Sequence, residues 1–115
     1  MTQQTANLRR IANALIAATN AFDVKKTLAL FTADAVIDDP STGHRFDGHA
    51  GIRRYIEEYF IGYHTVTKFV SIKFLDDNRA RVRVDFTGDF GRETGLLEIS
   101  VDARGLILRI DASLD

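Results

Sequence analysis

Residues 34–60 read DAVIDDPSTGHRFDGHAGIRRYIEEYF, and the rest of the chain is organised around this stretch. A short extended run ends at the chain's single proline, Pro40, which keeps the preceding Asp39 out of the helical region. A polar turn and a second short run follow, and an amphipathic helix begins near Asp47. The apolar face of this helix carries Ile52, Tyr55, Ile56, Tyr59 and Phe60. The stretch therefore directs a carboxylate and several aromatic rings toward one apolar space.

Composition indicates a single globular domain, which we expect to span residues 1–115. Of the 115 residues 45% are hydrophobic and 27% are charged, which is ordinary for one globular core. Since the chain has 15 basic and 16 acidic side chains, no net field favours nucleic acid or an anionic membrane as a partner. Cysteine is absent, which excludes thiolate chemistry. No apolar run would span a bilayer and no signal peptide is evident, so we expect a cytoplasmic protein.

Outward from the central stretch, helices precede it and strands follow it. A long first helix carries Leu8, Leu15 and Phe22 at helical spacing, Asp23 caps a short second helix, and Gly62 ends the third. From Val66 onward the apolar period is two, as in strands. The residues predicted to face the helices are Val66, Val70, Ile72, Phe74, Ala80, Val82, Val84, Phe86, Gly95, Leu97, Ile99, Val101, Leu106, Leu108, Ile110 and Ala112. This order predicts an α+β fold, with three N-terminal helices packed in the concavity of a curved, mainly antiparallel sheet.

Several motifs in the first half resemble one family of cone-shaped domains. The motifs are Asn20-Ala21-Phe22-Asp23, Leu28-Ala29-Leu30-Phe31, Asp34-Ala35-Val36, Asp39-Pro40, Gly48 and Ile52-Arg53. In this order they resemble the NTF2-like superfamily, which includes nuclear transport factor 2, ketosteroid isomerase and the SnoaL-type polyketide cyclases. The resemblance implies a pocket for a hydrophobic small molecule, with no cofactor. It does not give the activity, because one fold hosts many functions.

The resemblance to ketosteroid isomerase assigns a role to Asp39, but two other functional residues of the isomerase have no counterpart in this sequence. Asp39 matches the general base that moves a proton next to a carbonyl. The tyrosine and the protonated aspartate of the isomerase's oxyanion hole fall on Leu15 and Leu97. Because loss of one such donor costs roughly 10²–10³ in rate, we expect standard ketosteroid isomerase activity to be absent or very low.

A second relative, limonene epoxide hydrolase, holds a water with an arginine flanked by aspartates. Arg83-Val84-Asp85 has a similar spacing. Alternation with Val82 and Val84 places Arg83 and Asp85 on the polar face, and Asp111 likewise opposes its apolar neighbours. We therefore expect a charged network on the outer sheet or at a subunit contact rather than a hydrolase site.

The remaining site candidates come from position along the predicted pocket. His64 is our choice for a second acid–base group beside Asp39, and the alternative is an ordinary surface histidine. The residues expected to line the ligand site are Leu15, Tyr55, Tyr59, Tyr63, Phe86, Leu97, Ile99 and Ile110. The alternative for Asp39 is a turn aspartate that caps backbone N–H groups. His44, Asp47 and His49 match no known ligand spacing, so no metal is expected.

Two function classes remain open at this point. One is a small isomerase- or cyclase-like enzyme in which Asp39 performs acid–base chemistry on a hydrophobic molecule. The other is a non-catalytic module that binds an apolar ligand or a partner protein. We also expect a homodimer through the outer sheet face, because that face mixes apolar and charged residues. Its predicted members are Thr67, Phe69, Arg81, Arg83 and Thr87.

Overall fold

The computed structural model describes residues 3–114. The helices are α1 Gln3–Asn20, α2 Val24–Leu28 and α3 Gly48–Tyr55. The strands are β1 Phe31–Asp39, β2 His44–Asp47, β3 Val66–Asp76, β4 Arg79–Gly88, β5 Gly91–Val101 and β6 Ile107–Leu114. Two irregular turns join them, a 3-10 helix at Pro40–Thr42 and a π-helix at Ile56–Ile61 that continues α3. Among these residues no helix is both long and apolar enough to cross a membrane.

The six strands form one sheet in the order β2-β1-β6-β5-β4-β3. Every neighbouring pair is antiparallel except β1 and β6, which are parallel. The helices cover one face of the sheet, since α1 contacts β3 and β4 while α3 contacts β1 and β2. Side chains from both layers are fully buried between them: Ile52, Ile56, Val82, Val84, Ile99 and Ile107. The predicted α+β fold is confirmed.

The facing of β3 differs from the prediction. Val66 and Val70 are 47% and 46% exposed, whereas Thr67 is buried and Phe69 packs against the core. A register shift between Phe69 and Ser71 separates the two halves of the strand, so strict alternation does not hold across it. Thr67 and Phe69 are therefore not members of the outer sheet face, and Val66 and Val70 take their place.

The facing of β6 also differs at its first residues. Ile107 is fully buried and Leu108 is 42% exposed, the reverse of the predicted pattern. The cause is a register shift between Ser100 and Val101 in the pairing of β5 with β6. Beyond that shift Ile110 and Ala112 face the core as predicted.

Candidate functional site

Two cavities lie between the helices and the sheet. The outer cavity has a volume of about 280 Å³, and its lining includes Asp39, Tyr59, Tyr63, Phe90, Glu93 and Ser113. The inner cavity has a volume of about 30 Å³, and its lining includes Leu15, Thr19, Ile37, Thr67, Leu97 and Ile110. Tyr55, Phe60 and Phe86 line both cavities, so these three rings form the wall between them.

Asp39 lies at the end of β1, where Pro40 ends the strand and starts the 3-10 turn. The residue is only 8% exposed. Its Oδ1 accepts hydrogen bonds from the backbone N–H of Ser41 at 3.1 Å and from the Ser41 hydroxyl at 2.6 Å. Its Oδ2 accepts a hydrogen bond from the Tyr55 hydroxyl at 2.7 Å. One carboxylate thus caps the turn and also contacts the cavity wall, so the two geometries considered for Asp39 occur together.

Tyr55 holds its proton tightly. Burial raises the pKa of the Tyr55 hydroxyl well above its ordinary value of 10.0, because tyrosinate would lose its water. The charge of Asp39 and the hydrogen bond to that carboxylate raise the pKa further. At neutral pH Tyr55 is therefore a hydrogen-bond donor and not a base. Because its proton points at Asp39, Tyr55 orients that carboxylate within the site.

A row of aromatic rings leads from the buried Asp39–Tyr55 pair to the surface. Ring centroids are 5.6 Å apart for Tyr55 and Tyr59, 6.2 Å for Tyr59 and Tyr63, and 6.3 Å for Tyr63 and Phe90. Tyr63 and Phe90 are exposed, so the row ends at the mouth of the outer cavity. Such a wall suits a flat or apolar molecule.

The π-helix sets the path of this aromatic row. It begins directly after Tyr55 and ends at Ile61, and the backbone N–H of Gly62 donates to the carbonyl of Glu57 at 2.9 Å. A side chain at position 62 would collide with the carbonyl oxygen of Glu58, which requires the glycine. π-Turns within α-helices are frequent at functional sites. The sequence indicated the end of this helix at Gly62 but not the wider turn before it.

The structure divides the predicted lining residues into four groups. Leu15, Leu97 and Ile110 line the inner cavity, and Tyr59 and Tyr63 line the outer one. Tyr55 and Phe86 line both cavities, as described above. Ile99 lines neither cavity, because it is packed in the core.

His64 is not brought together with Asp39. Its side chain is 73% exposed, and its Nδ1 pairs with a carboxylate oxygen of Asp89 at 2.9 Å. A left-handed backbone, with φ of 55°, turns the chain at this residue. His64 lines neither of the two cavities. This placement fits the alternative considered for His64, a surface histidine.

Other lining residues were missed by the sequence reasoning. Ser41 and Thr42 follow Pro40, and their place beside Asp39 in a tight turn was the available signal. Phe90 and Glu93 lie in and after the β4–β5 turn, where alternation gives no guidance. Thr67 was missed because the bulge in β3 reverses its predicted facing.

Apart from Glu93, the charged residues of β4, β5 and β6 line neither cavity. Asp85 accepts hydrogen bonds from Arg92 at 3.0 Å and from Thr94 at 3.1 Å. Arg109 bridges Asp38 and Asp111 at 3.1 and 2.9 Å. The expected charged network on the outer sheet is present, and Asp85 and Asp111 each belong to an ion pair within it. Within residues 3–114 no three His, Cys, Asp or Glu side chains are placed to hold a metal ion.

N-terminal helices packed on a six-stranded, mostly antiparallel curved sheet make this an NTF2-like α+β domain. Residues 12–108 match the model of the SnoaL-like domain, and the chain belongs to that family. No curated protein matches the sequence.

Solved structures show the same fold at low sequence identity. SalBIII, an epoxide hydrolase/cyclase-like enzyme in pyran ring formation in polyether salinomycin, has a TM-score of 0.86 and 16% identity, covering 100% of this chain and 95% of its own. RV0760c from Mycobacterium tuberculosis, in complex with estradiol-17β-hemisuccinate, has a TM-score of 0.80 and 15% identity, covering 95% and 94%. An NTF-2 like protein of unknown function from Burkholderia xenovorans has a TM-score of 0.83 and 14% identity, covering 99% and 87%.

Proposed function

We propose that the protein binds a small, mainly apolar molecule in the outer cavity and transfers a proton to or from it at Asp39. The observation that carries this proposal is a buried carboxylate, Asp39, at one end of a cavity of about 280 Å³. Aromatic rings form one wall of that cavity, and they supply apolar contact for a ring system. A carboxylate in such a site is a candidate acid–base group.

The proton step uses one lone pair of Asp39. A carboxylate can accept about four hydrogen bonds, and three are made within the protein. The remaining position takes a proton from a C–H or O–H group of the ligand. The pair of electrons stays on the ligand, and the proton returns to a different atom of the same molecule. This balance corresponds to an isomerase or cyclase and requires no cofactor.

Deuterium exchange into a bound ketone tests the step. A panel of steroid and aromatic polyketide ketones is first screened for binding by thermal shift. For each binder, exchange at the carbon next to the carbonyl is followed by NMR in heavy water. Asp39→Asn should lower the exchange rate by about 10²–10⁴-fold, which is the usual contribution of a general base.

The matched control for that experiment is Asp38→Asn. Asp38 is the neighbouring carboxylate, but it pairs with Arg109 outside the cavity, so the exchange rate should stay at the wild-type value. Full exchange activity in Asp39→Asn would contradict the proposed proton step. On a 3-oxo-Δ5 steroid we expect turnover far below about 1 per second, since Leu15 and Leu97 replace the two oxyanion donors.

Binding without catalysis is the second candidate function. Two features favour it: three hydrogen bonds already engage Asp39, and Leu15 and Leu97 give the inner cavity an apolar lining. Tight binding of a screened compound with no wild-type deuterium exchange would select this function over the first.

A second copy of the chain is the proposed protein partner. The outer face of β3 exposes Val66 and Val70 beside the charged residues of β4, a mixture typical of subunit contacts. Sedimentation should show a dimer at roughly tens of micromolar, and Val70→Asp should shift it to monomer. A wild-type monomer under those conditions would contradict the dimer.

The cytoplasmic location stays a prediction.

A further inference from the structure

The hydroxyl of Thr67 is a buried polar group that the fold does not use. Thr67 is 4% exposed and lines the inner cavity. Among the residues that the structure describes, it carries the side-chain oxygen that is buried without a hydrogen-bond partner. Buried hydroxyl groups are normally paired, since an unpaired one lowers stability. An orphaned donor that lines a cavity points to a ligand atom.

The position of this hydroxyl is fixed by the backbone around it. The side chain of Asn20 accepts a hydrogen bond from the Thr67 N–H at 2.7 Å and donates one to the Thr67 carbonyl at 2.9 Å. These two bonds tie β3 to the end of α1. The branched side chain of threonine has few rotamers to choose from. The Thr67 hydroxyl is thus held in place before any ligand arrives.

We propose that the inner cavity is an oxygen-binding subsite, in which Thr67 Oγ1 donates a hydrogen bond to a carbonyl or hydroxyl oxygen at the inner end of the ligand. The subsite rests on the proposed function, because the ligand enters through the outer cavity and passes Asp39. Its inner end reaches Thr67 when the Phe60 and Phe86 side chains rotate apart, since both line the two cavities. A volume of about 30 Å³ suits one such polar group.

The inner cavity offers one hydroxyl proton that is not already donated within the protein, and this proton suits a ligand oxygen. The Thr19 hydroxyl already donates to the carbonyl of Leu15 at 3.0 Å, and the Tyr55 hydroxyl donates to Asp39. The rest of the lining is apolar, including Ile37. An oxygen attached to an apolar skeleton needs only the single donor that Thr67 supplies.

Two probes that differ by one oxygen test the subsite. The ketone 2-tetralone and the hydrocarbon tetralin share one carbon skeleton, and their affinities are measured by NMR titration. Thr67→Val replaces the hydroxyl with a methyl group of the same shape. It should weaken 2-tetralone binding by about tenfold, which is the worth of one hydrogen bond, and leave tetralin binding unchanged. Thr67→Ser keeps the hydroxyl and should retain the wild-type preference for the ketone.

Thr19→Val is the matched control, because Thr19 lines the same cavity with a hydroxyl that already has a partner. It should change the affinities of the two probes equally. The carbonyl stretching frequency of bound 2-tetralone gives a second readout. It should be lower in wild type and Thr67→Ser than in Thr67→Val, because a donated hydrogen bond weakens the C=O bond.

The outcomes separate this inference from the proposed function. If both probes bind and Thr67→Val leaves the ketone affinity and the carbonyl frequency unchanged, the subsite is overturned while small-molecule binding stands. A crystal structure in which a water alone remains on Thr67 beside bound 2-tetralone would overturn it as well. If neither probe binds and the ketone panel also fails, both proposals fall together.

Discussion

The inner and outer cavities share the wall of Tyr55, Phe60 and Phe86 but are built in different ways. The inner cavity is enclosed by regular elements, with Leu15 from α1, Ile37 from β1 and Leu97 from β5. The outer cavity is enclosed by irregular segments as well as by regular elements. Its lining includes Ser41 and Thr42 of the 3-10 turn, Tyr59 of the π-helix, and Phe90 of the β4–β5 turn.

This difference separates packing from chemistry. Regular elements repeat their facing, so they produce a lining that is mainly apolar, with Thr19 and Thr67 as polar members. In irregular turns, backbone and side-chain polar groups are not used by helix or sheet hydrogen bonds and can bind a neighbouring group. The N–H and the hydroxyl of Ser41, for example, both donate to Asp39. The acid–base candidate therefore lies where regular structure stops. Tyr55, the last residue of α3, is the side chain that joins the two regions.

Removal of the Tyr55 ring should break the division between the cavities. Tyr55→Ala deletes a buried ring from the shared wall and takes the hydroxyl donor from Asp39. The free energy of unfolding should fall by about 3–5 kcal/mol, as for other large-to-small core substitutions. Urea denaturation measures this loss. Tyr59→Ala, at a partly exposed ring of the same row, should cost less, and equal losses would contradict the placement of Tyr55 in the wall.

Removal of the Tyr55 hydroxyl alone should separate its polar role from its packing. Tyr55→Phe keeps the ring but leaves Asp39 with one donor fewer in a buried site. The expected loss is about 1.5–3 kcal/mol, the range for hydrogen bonds to charged groups. Tyr59→Phe is the control, because its ring belongs to the same aromatic row. A Tyr55→Phe variant as stable as wild type would show that the contact with Asp39 contributes nothing.

Regular segments of the chain were predictable because their periods are undisturbed. Ala80, Val82 and Val84 alternate without a shift, and all three are buried as expected. The errors occur at two register shifts, near Val70 in β3 and near Leu108 in β6. A bulge adds a residue to one strand and none to its partner, so its position depends on how the two strands pair. The alternation of apolar residues along one strand does not show where the bulge lies.

The candidate site was predictable only where a strong local constraint acts. Pro40 fixes the end of β1, and Asp39 was correctly expected to be buried beside the helix that carries Tyr55. The sequence left His64 open between a site residue and a surface histidine, because nothing in its neighbours signals the left-handed backbone that turns the chain there. The placement of the unpaired Thr67 hydroxyl could not be predicted from nearby sequence. It depends on the β3 bulge and on a hydrogen bond to Asn20, which is 47 residues away.

A larger residue at Gly95, on β5, should displace the Phe86 ring of the wall between the two cavities. A Cβ atom there would lie 2.8 Å from the Phe86 ring and 3.0 Å from the Ser113 carbonyl oxygen. Gly95→Ala should therefore push the ring toward the cavities and cost about 1–3 kcal/mol in unfolding free energy. In the double variant with Phe86→Leu the two costs should not add, because the smaller side chain relieves the clash. Simple additivity would mean that the ring does not lie over Gly95.

Alkaline pH should reveal Tyr55 as the buried partner of Asp39, with the smallest effect of the series. The pKa of Tyr55 is raised in the folded protein by burial and by the charge of Asp39, so the native state holds this proton more tightly than the unfolded chain does. Its stabilising contribution is fully present below about pH 10, the pKa of an unfolded tyrosine, and is lost as the pH rises above that value. For one proton the loss is about 1.4 kcal/mol per pH unit.

The stability difference between wild type and Tyr55→Phe isolates this proton, because other groups that titrate near pH 10 are common to both proteins. The difference should be constant from pH 7 to about 9 and should then shrink as the unfolded tyrosine ionises. A wild-type advantage over Tyr55→Phe that stayed constant to pH 11 would mean that Tyr55 ionises as easily in the folded state as in the unfolded one. Tyr55 would then not be the buried partner of Asp39, on which the proposed site depends.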